Sequence, residues 1–260
     1  MLRSLVGSEM CIRDRYLEQS FRFGNAVADI ANLLLNKLFG ETRQLKGLPS
    51  KTSKVTTFST SSYAPSSLNA IICRTNATAF EYFFKFHSYL NGEKKIRLEV
   101  DGKRSKDIFS GIFQLRANKR PTCKELQNFS SYQELVDHIQ VFGEVEGATT
   151  ELKTFLDLTN QYSWQVIEWA LENSMADDET DPKNTLVIST SHKSKGLEWD
   201  NVLIAKGFNY KILDKKLMIS ADEKRLLYVT VTRAKNILFT DGINDLLEHL
   251  NSKNMEISNA

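Results

Sequence analysis

Thr185-Leu-Val-Ile-Ser-Thr190, Ser191-His-Lys-Ser-Lys-Gly-Leu-Glu-Trp-Asp200 and Asn201-Val-Leu-Ile-Ala-Lys-Gly-Phe208 follow one another without a break, and their reading decides the fold. Two apolar runs rich in Val and Ile bracket a short loop carrying His192, Lys193, Lys195, Gly196 and Glu198. Continuous apolar runs of this kind suit strands buried on both faces, as in a parallel sheet. Loops at the carboxyl ends of such strands are where α/β proteins place ligand chemistry. Farther on, Asp222-Glu-Lys-Arg-Leu-Leu-Tyr-Val-Thr-Val-Thr-Arg-Ala-Lys235 reads as a helix ending in a Thr-Arg pair, and it leads into another strand, Asn236-Ile-Leu-Phe-Thr240.

These residues carry a resemblance. His192-x-x-Lys195-Gly196-Leu197-Glu198-Trp199-Asp200 resembles motif V of the UvrD/Rep-type superfamily 1A DNA helicases, and Arg225-Leu-Leu-Tyr228-Val-x-Val-Thr-Arg233-Ala-Lys235 resembles their motif VI. Near the start, Gln19-Ser-Phe-Arg22 resembles motif IV, where the family commonly reads Asn-Tyr-Arg. The variant Ser-Phe-Arg-Phe-Gly24 is similar to the branch that includes the F-box DNA helicases. Arg74-Thr-Asn76, after the apolar run Leu68-Asn-Ala-Ile-Ile-Cys73, is similar to the Arg-Thr-Asn-Ala that follows a core strand in the family. Asp101-Gly102 departs from the pattern, which usually has Gly-Gly at that turn.

The resemblance implies a fold and a set of roles. The expected fold is α/β: a RecA-like parallel sheet flanked by helices, the C-terminal or 2A lobe of the motor, with a small helical insertion. Phosphoryl transfer needs fixed positive charge, and arginine supplies it in a planar fork that stays ionised. Arg22 and Arg233 are the implied arginine fingers, reaching across a cleft to ATP held mainly by a first lobe. Such a contact is worth ~10³ or more in rate. Gln19, Gly196 and Glu198 are implied at the nucleotide, and Arg74, Thr190, His192 and Lys195 on single-stranded DNA. Other roles stay open: a surface salt bridge for Arg22, a simple ion pair for Glu198, a structural place for His192, and packing for Tyr228.

The remaining chain is read from pattern. The 260 residues carry a formal charge of +2 and are 41% hydrophobic, enough for one or two cores and against a strongly basic nucleic-acid coat. No apolar run reaches the ~18 residues of a membrane span. Cys11, Cys73 and Cys123 are scattered, without the spacing of a zinc site, so no metal ligands are expected and an intracellular setting is. Residues 1–14 read as translated sequencing adaptor. Residues 15–116 read as the first part of the lobe, 117–183 as a reduced form of the family's helical 2B insert, and 184–260 as the second part with its tail.

Val27, Ile30, Ala31, Leu34, Leu35 and Leu38 share a helical face, with Asn25 expected to cap its start and Gly40 its end. Val55 to Phe58 reads as an edge strand, and Phe80, Phe83, Phe84 and His87 lie on a helix ending at Asn91-Gly92. Ile96, Leu98 and Val100 alternate as a strand, and Ser105 to Leu115 is helical. Ser131-Tyr-Gln-Glu134 and Ser220-Ala-Asp-Glu223 have capping-box spacing. Trp164, Ile167 and Leu171 suggest a helix, Leu246, Leu247 and Leu250 another, and the acidic run 177–181 a solvated linker.

No Gly-x-x-x-x-Gly-Lys-Ser/Thr phosphate loop occurs in the 260 residues, and no Asp-Glu pair follows an apolar strand in the way the metal-holding motif would. Mg2+ is therefore expected on the missing 1A/1B lobes, and the chain by itself is expected to bind ATP weakly and turn it over undetectably. By resemblance the parent is an ATP-dependent 3′ to 5′ translocase on single-stranded DNA in repair or recombination. It would be cytoplasmic, or nuclear in a eukaryote, with no membrane partner. Alternatives are a fragment of a helicase-nuclease subunit and a non-catalytic strand-binding or interaction lobe.

Overall fold

A computed structural model describes residues 18–142, 147–172, 184–252 and 256–258. The adaptor-like stretch and the acidic run 177–181 lie outside the described residues. Within them the strands are β1 (Lys54–Thr56), β2 (Ala70–Cys73), β3 (Lys95–Glu99), β4 (Thr185–Thr190), β5 (Trp199–Ile204), β6 (Tyr210–Leu213), β7 (Lys216–Ile219), β8 (Ala234–Phe239) and β9 (Glu256–Ser258). The helices are α1 (Asn25–Phe39), α2 (Asn76–Leu90), α3 (Gly102–Arg116), α4 (Tyr132–Phe142), α5 (Gly147–Gln161), α6 (Trp164–Glu172), α7 (Ala221–Val231) and α8 (Asn244–Asn251).

Six strands form one sheet in the order β1-β8-β5-β2-β4-β3, and every pairing in it is parallel. The apolar runs that opened the sequence are β4 and β5, both paired to β2 at its centre. Side chains alternate across this sheet because the strand period is two. Ile71 and Cys73 face one hydrophobic layer with α2 and α3, while Ala70 and Ile72 face another with α1, α7 and α8. This is the helix-flanked parallel sheet expected of a RecA-like lobe. A smaller sheet pairs β7 with β6 antiparallel and β9 parallel.

The helices α4 to α6 join the first of those layers. Phe109 of α3 meets Phe80 of α2 edge to face at 5.3 Å and Phe155 of α5 at 4.7 Å, all three fully buried. Glu151 of α5 accepts the main-chain N–H of Asn76 at 3.1 Å and pairs with Arg104 at 3.0 Å. The helical segment therefore shares a continuous core with the sheet layer beneath it.

Some local expectations are corrected. The N-cap of α1 is Gly24, with Asn25 already helical, and Gly40 closes the helix in the left-handed region. Asp101 caps α3 through its carboxylate, which accepts from Arg104 N at 3.0 Å; a short acceptor can do what a tight Gly-Gly turn would not. The edge strand β1 ends at Thr56, short of Phe58. Glu134 closes its capping arrangement on the main chain and hydroxyl of Ser130, with Ser131 bonding Glu134 N. The 220–223 pattern holds on its Ser side, where Ser220 Oγ accepts from Glu223 N at 3.3 Å, but the Glu223 side chain goes elsewhere, as described below.

Candidate functional site

The sequence-predicted residues fall at two opposite edges of the parallel sheet. Glu198 directly precedes β5 and Arg233 directly precedes β8, so both sit at the amino edge. Arg74 directly follows β2 and His192 lies just beyond β4, at the carboxyl edge. The segment 191–198 crosses from one edge to the other, and α7 spans the same distance from Ser220 to Thr232.

At the amino edge, Arg22, Glu198, Tyr228, Thr232 and Arg233 line one groove of about 580 Å³ together with Gln19. Arg22 donates from Nε to Glu198 at 2.6 Å and from Nη1 to the carbonyl of Thr232 at 3.0 Å. Arg233 donates to the carbonyls of Val229 and Leu197 and to the hydroxyl of Thr232, at 2.8 to 3.0 Å. It is only 8% exposed. Burial, and then the neighbouring Arg22 charge, push the Arg233 guanidinium down to about 10. Hydrogen bonding to Arg22 holds the Glu198 carboxyl below its usual range, and burial raises the Tyr228 phenol. Glu198 is the one acid in the lining, and its side chain is 44% exposed. The groove thus holds two guanidinium groups against one carboxylate, which is bonded to Arg22, leaving a site whose electrostatics favour an incoming anion.

This arrangement is assembled by close main-chain packing. A Cβ at Gly24 would stand 2.1 Å from the carbonyl oxygen of Lys51, and one at Gly47 2.3 Å from the carbonyl carbon of Gly24. Only residues without side chains let segment 18–24 press so closely on 45–51. Gln19 is spent in this seam, donating to Gly47 O at 2.8 Å, and Lys51 Nζ holds the carbonyl of Arg22 at 2.9 Å. Gly196 has φ +84, the left-handed conformation that turns segment 191–198 toward the amino edge.

Two residues of this edge escaped the sequence reading. Phe21, 71% exposed on the lip of the groove, lay inside a quoted motif but was not weighed. Lys51 came from a polar loop with no pattern to single it out.

At the carboxyl edge, Arg74 Nε reaches both oxygens of Glu223, at 2.7 and 3.0 Å. Glu223 is 1% exposed and also accepts from Asn209 N at 2.8 Å. Thr190 is buried, and its hydroxyl accepts from Lys193 N at 3.4 Å, bracing the turn. His192 and Lys195 are exposed. Burial first, then the charges of Arg74 and Lys195, lower the His192 imidazole below its ordinary value. Beneath this edge a buried hydroxyl chain runs from Thr230 Oγ1 to Ser191 Oγ at 2.9 Å and on to the carbonyl of Cys73 at 3.2 Å. It ties α7 and the loop after β4 to the end of β2.

Among the described residues no group of three His, Cys, Asp or Glu side chains could hold a metal ion, and no helix is long and apolar enough to cross a membrane.

The pattern of the UvrD-like helicase C-terminal domain matches residues 68–243, a span that includes Arg74, Glu198 and Arg233 but begins after Arg22. F-box DNA helicase protein 1 of Schizosaccharomyces pombe is 30% identical over an alignment of 250 residues that covers 90% of this chain and 27% of that protein. F-box DNA helicase 1 of Gallus gallus is 27% identical over 270 aligned positions, covering 90% of this chain and 24% of that protein. The chain spans about a quarter of the length of the curated relatives it matches.

Proposed function

The chain belongs to the family of UvrD-like helicase C-terminal domains, and from that premise we infer that it is the second lobe of an ATP-driven DNA helicase, closing on a nucleotide at its amino edge and holding a single strand at its carboxyl edge. The observation that carries this reading is the convergence of Arg22 and Arg233 on one groove whose lining holds a single carboxylate. ATP, when bound, brings a phosphoryl group whose charge develops in transfer, and fixed guanidinium groups stabilise such charge without reorganising.

Each residue then has a defined task. Arg233 is the preorganised group: its fork is locked by carbonyls and a hydroxyl, so it meets the phosphates in one orientation. Arg22 is the movable one. Its partner Glu198 is largely in water, and an arriving polyphosphate competes with that carboxylate for the fork. Glu198, once released, is placed to accept from a ribose hydroxyl. Phe21 offers an aromatic face to the base. Gln19 and Gly196 act through the backbone they hold, and Mg2+ is assigned to carboxylates of a first lobe.

At the carboxyl edge, His192 and Lys195 contact the strand directly, Arg74 backs them, and Thr190 contributes by bracing the turn. Translocation from 3′ to 5′ and a role in repair or recombination are part of this proposal and are supported only by the family resemblance.

The test compares the 260-residue chain with the same chain joined to a first lobe that carries a phosphate loop, taken from a relative. The chain alone should show no DNA-stimulated ATP hydrolysis, and the joined protein should. Arg233→Ala or Arg22→Ala in the joined protein should lower kcat ~10³-fold or more. Turnover by the chain alone, or unchanged kcat in both variants, defeats the reading. An upstream gene without a phosphate loop would favour a non-catalytic lobe.

A further inference from the structure

The groove at the amino edge leans on a residue that does not line it. Lys51 lies half-buried in the polar loop between α1 and β1, and its Nζ donates to the carbonyl of Arg22 at 2.9 Å. We propose that Lys51 is a positioning residue for this site: it pins the main chain of Arg22 and stays beside Glu198 as a counter-charge while the Arg22 fork passes from that carboxylate to a polyphosphate. The proposal rests on the reading of the groove as a nucleotide site.

Transfer of the fork needs a fixed pivot. A guanidinium that leaves one anion for another swings about its own stem, and a displacement of about 1 Å near a reacting centre costs ~10²-fold in rate. The main chain of Arg22 is held on both sides, its N–H donating to Ser20 Oγ at 3.2 Å and its carbonyl accepting from Lys51. The loop that delivers the ammonium is held in turn. Lys51 N donates to Leu48 O at 3.0 Å and Leu48 N to Phe23 O at 2.9 Å. The carbonyl oxygen of Lys51 lies 2.1 Å from where a Cβ on Gly24 would stand, so this loop and segment 22–24 form one seam.

Transfer also needs charge. Glu198 loses its hydrogen-bonded partner when Arg22 turns away, and a nearby cation lowers the cost of leaving that carboxylate ionised. Arg22 foremost, then Lys235 and Lys51, hold the Glu198 carboxyl below its usual range. Lys235 is already paired with Asp200 at 3.1 Å. Among the described residues Lys51 has no carboxylate within ion-pair distance, so its charge is free to answer Glu198. Lys51 is absent from the groove lining and therefore acts through Arg22 and Glu198. With Glu198 44% exposed, water shares that task, and the effect is smaller than the loss of a finger.

The test uses the chain joined to a first lobe with a phosphate loop, carrying Lys51→Met, Lys51→Arg, Arg22→Ala or the Lys51→Met/Arg22→Ala pair. Lys51→Met keeps the stem and removes donor and charge. It should lower kcat about tenfold and move KM for ATP less than about threefold, because a misplaced finger is missed chiefly in the transition state. Lys51→Arg supplies both donor and charge and should restore kcat to within about threefold. On the Arg22→Ala background, Lys51→Met should cost less than about twofold more, since residues acting through one another are not additive. In the 260-residue chain by itself, Lys51→Met should raise the Glu198 carboxyl pKa, followed by its carbon-13 resonance through a pH titration, because a lost cation disfavours the charged form. Melting temperature checks folding throughout.

If Arg22→Ala lowers kcat but Lys51→Met does not, the role of Lys51 falls and the nucleotide reading stands. A full tenfold loss from Lys51→Met on the Arg22→Ala background, or a Glu198 carboxyl that does not move, also overturns the role, since Lys51 would then be a general brace. Unchanged kcat in Arg22→Ala removes Arg22 from the nucleotide site and Lys51 with it. A joined protein silent in every form defeats the motor reading and this role together.

Discussion

Replacing Arg74 by Ala should destabilise the lobe more than replacing its partner, and a second substitution should repair part of the loss. Glu223 is almost fully buried, and among the described residues Arg74 supplies its only positive neighbour within ion-pair distance. Arg74→Ala strands a buried carboxylate with one hydrogen bond left, from Asn209 N. Removing one partner of a buried pair costs about 3–5 kcal/mol. The Arg74 side chain is 27% exposed, so water enters the gap and about 3 kcal/mol is the fitting end of that range.

Glu223→Gln is gentler. The amide oxygen still accepts from Asn209 N, and the guanidinium turns to solvent, so the loss is that of a charge-assisted hydrogen bond, about 1.5 kcal/mol. In the double variant no charge is stranded, and the cost returns to about 2 kcal/mol. Denaturant titration of all four proteins measures these differences, which for a chain of this size correspond to roughly 2–4 °C of melting temperature per kcal/mol. A double variant less stable than Arg74→Ala alone would refute the reasoning, because it would mean that the buried charge is not what Arg74 answers.

Phe155→Ala, which opens a hole where α5 meets Phe109 edge to face, should cost about 3–5 kcal/mol in the same titration; a loss under about 1 kcal/mol would mean that the helical segment does not share the core. Ser191→Ala should cost more than Thr230→Val, because it leaves the Thr230 hydroxyl without its acceptor, about 1–3 against about 1 kcal/mol; equal losses would argue against the hydroxyl chain. The His192 imidazole lies below its ordinary value, so it is neutral at neutral pH and gains charge only as solution becomes more acid. Oligothymidylate affinity should therefore rise on acidification below about pH 6.5, and His192→Ala should abolish that rise; a variant with the same pH profile as the parent chain would exclude His192.

The sheet was legible because its central strands are saturated with apolar residues: β2 and β4 could be placed from Leu68–Cys73 and Thr185–Thr190 alone. Helix α2 was legible for the same reason, since Phe80, Phe83 and Phe84 fall on one face. The hairpin of β6 and β7 was missed because Lys211, Asp214, Lys215 and Lys216 blur its alternation, and the turn relies on Asp214 and Lys215 adopting positive φ, which nothing in residue type announces. Helix α5 was missed because its apolar positions gain meaning only against α2 and α3. At the site, Arg22 and Arg233 could be named from their motifs, but the sequence said nothing of what already occupies them. That Arg22 is clasped by Glu198, and that Arg74 is anchored to Glu223, depends on pairings across 176 and 149 residues, which only the folded chain brings about.

Helix α7 is fastened at both ends: Glu223 to Arg74 near its start, and Thr232, just past its last turn, to Arg22. A helix advances 1.5 Å and turns about 100° with each residue. Its eleven residues therefore set a phase as well as a span, like the count of teeth between two meshed gears. One residue gained or lost between Arg225 and Val229 would swing one clasp a quarter-turn or more away from its mate. Whole-turn changes of three or four residues would restore the angle but miss the distance by about 5 Å. Length variation in this lobe should accordingly be found in its loops and never in α7.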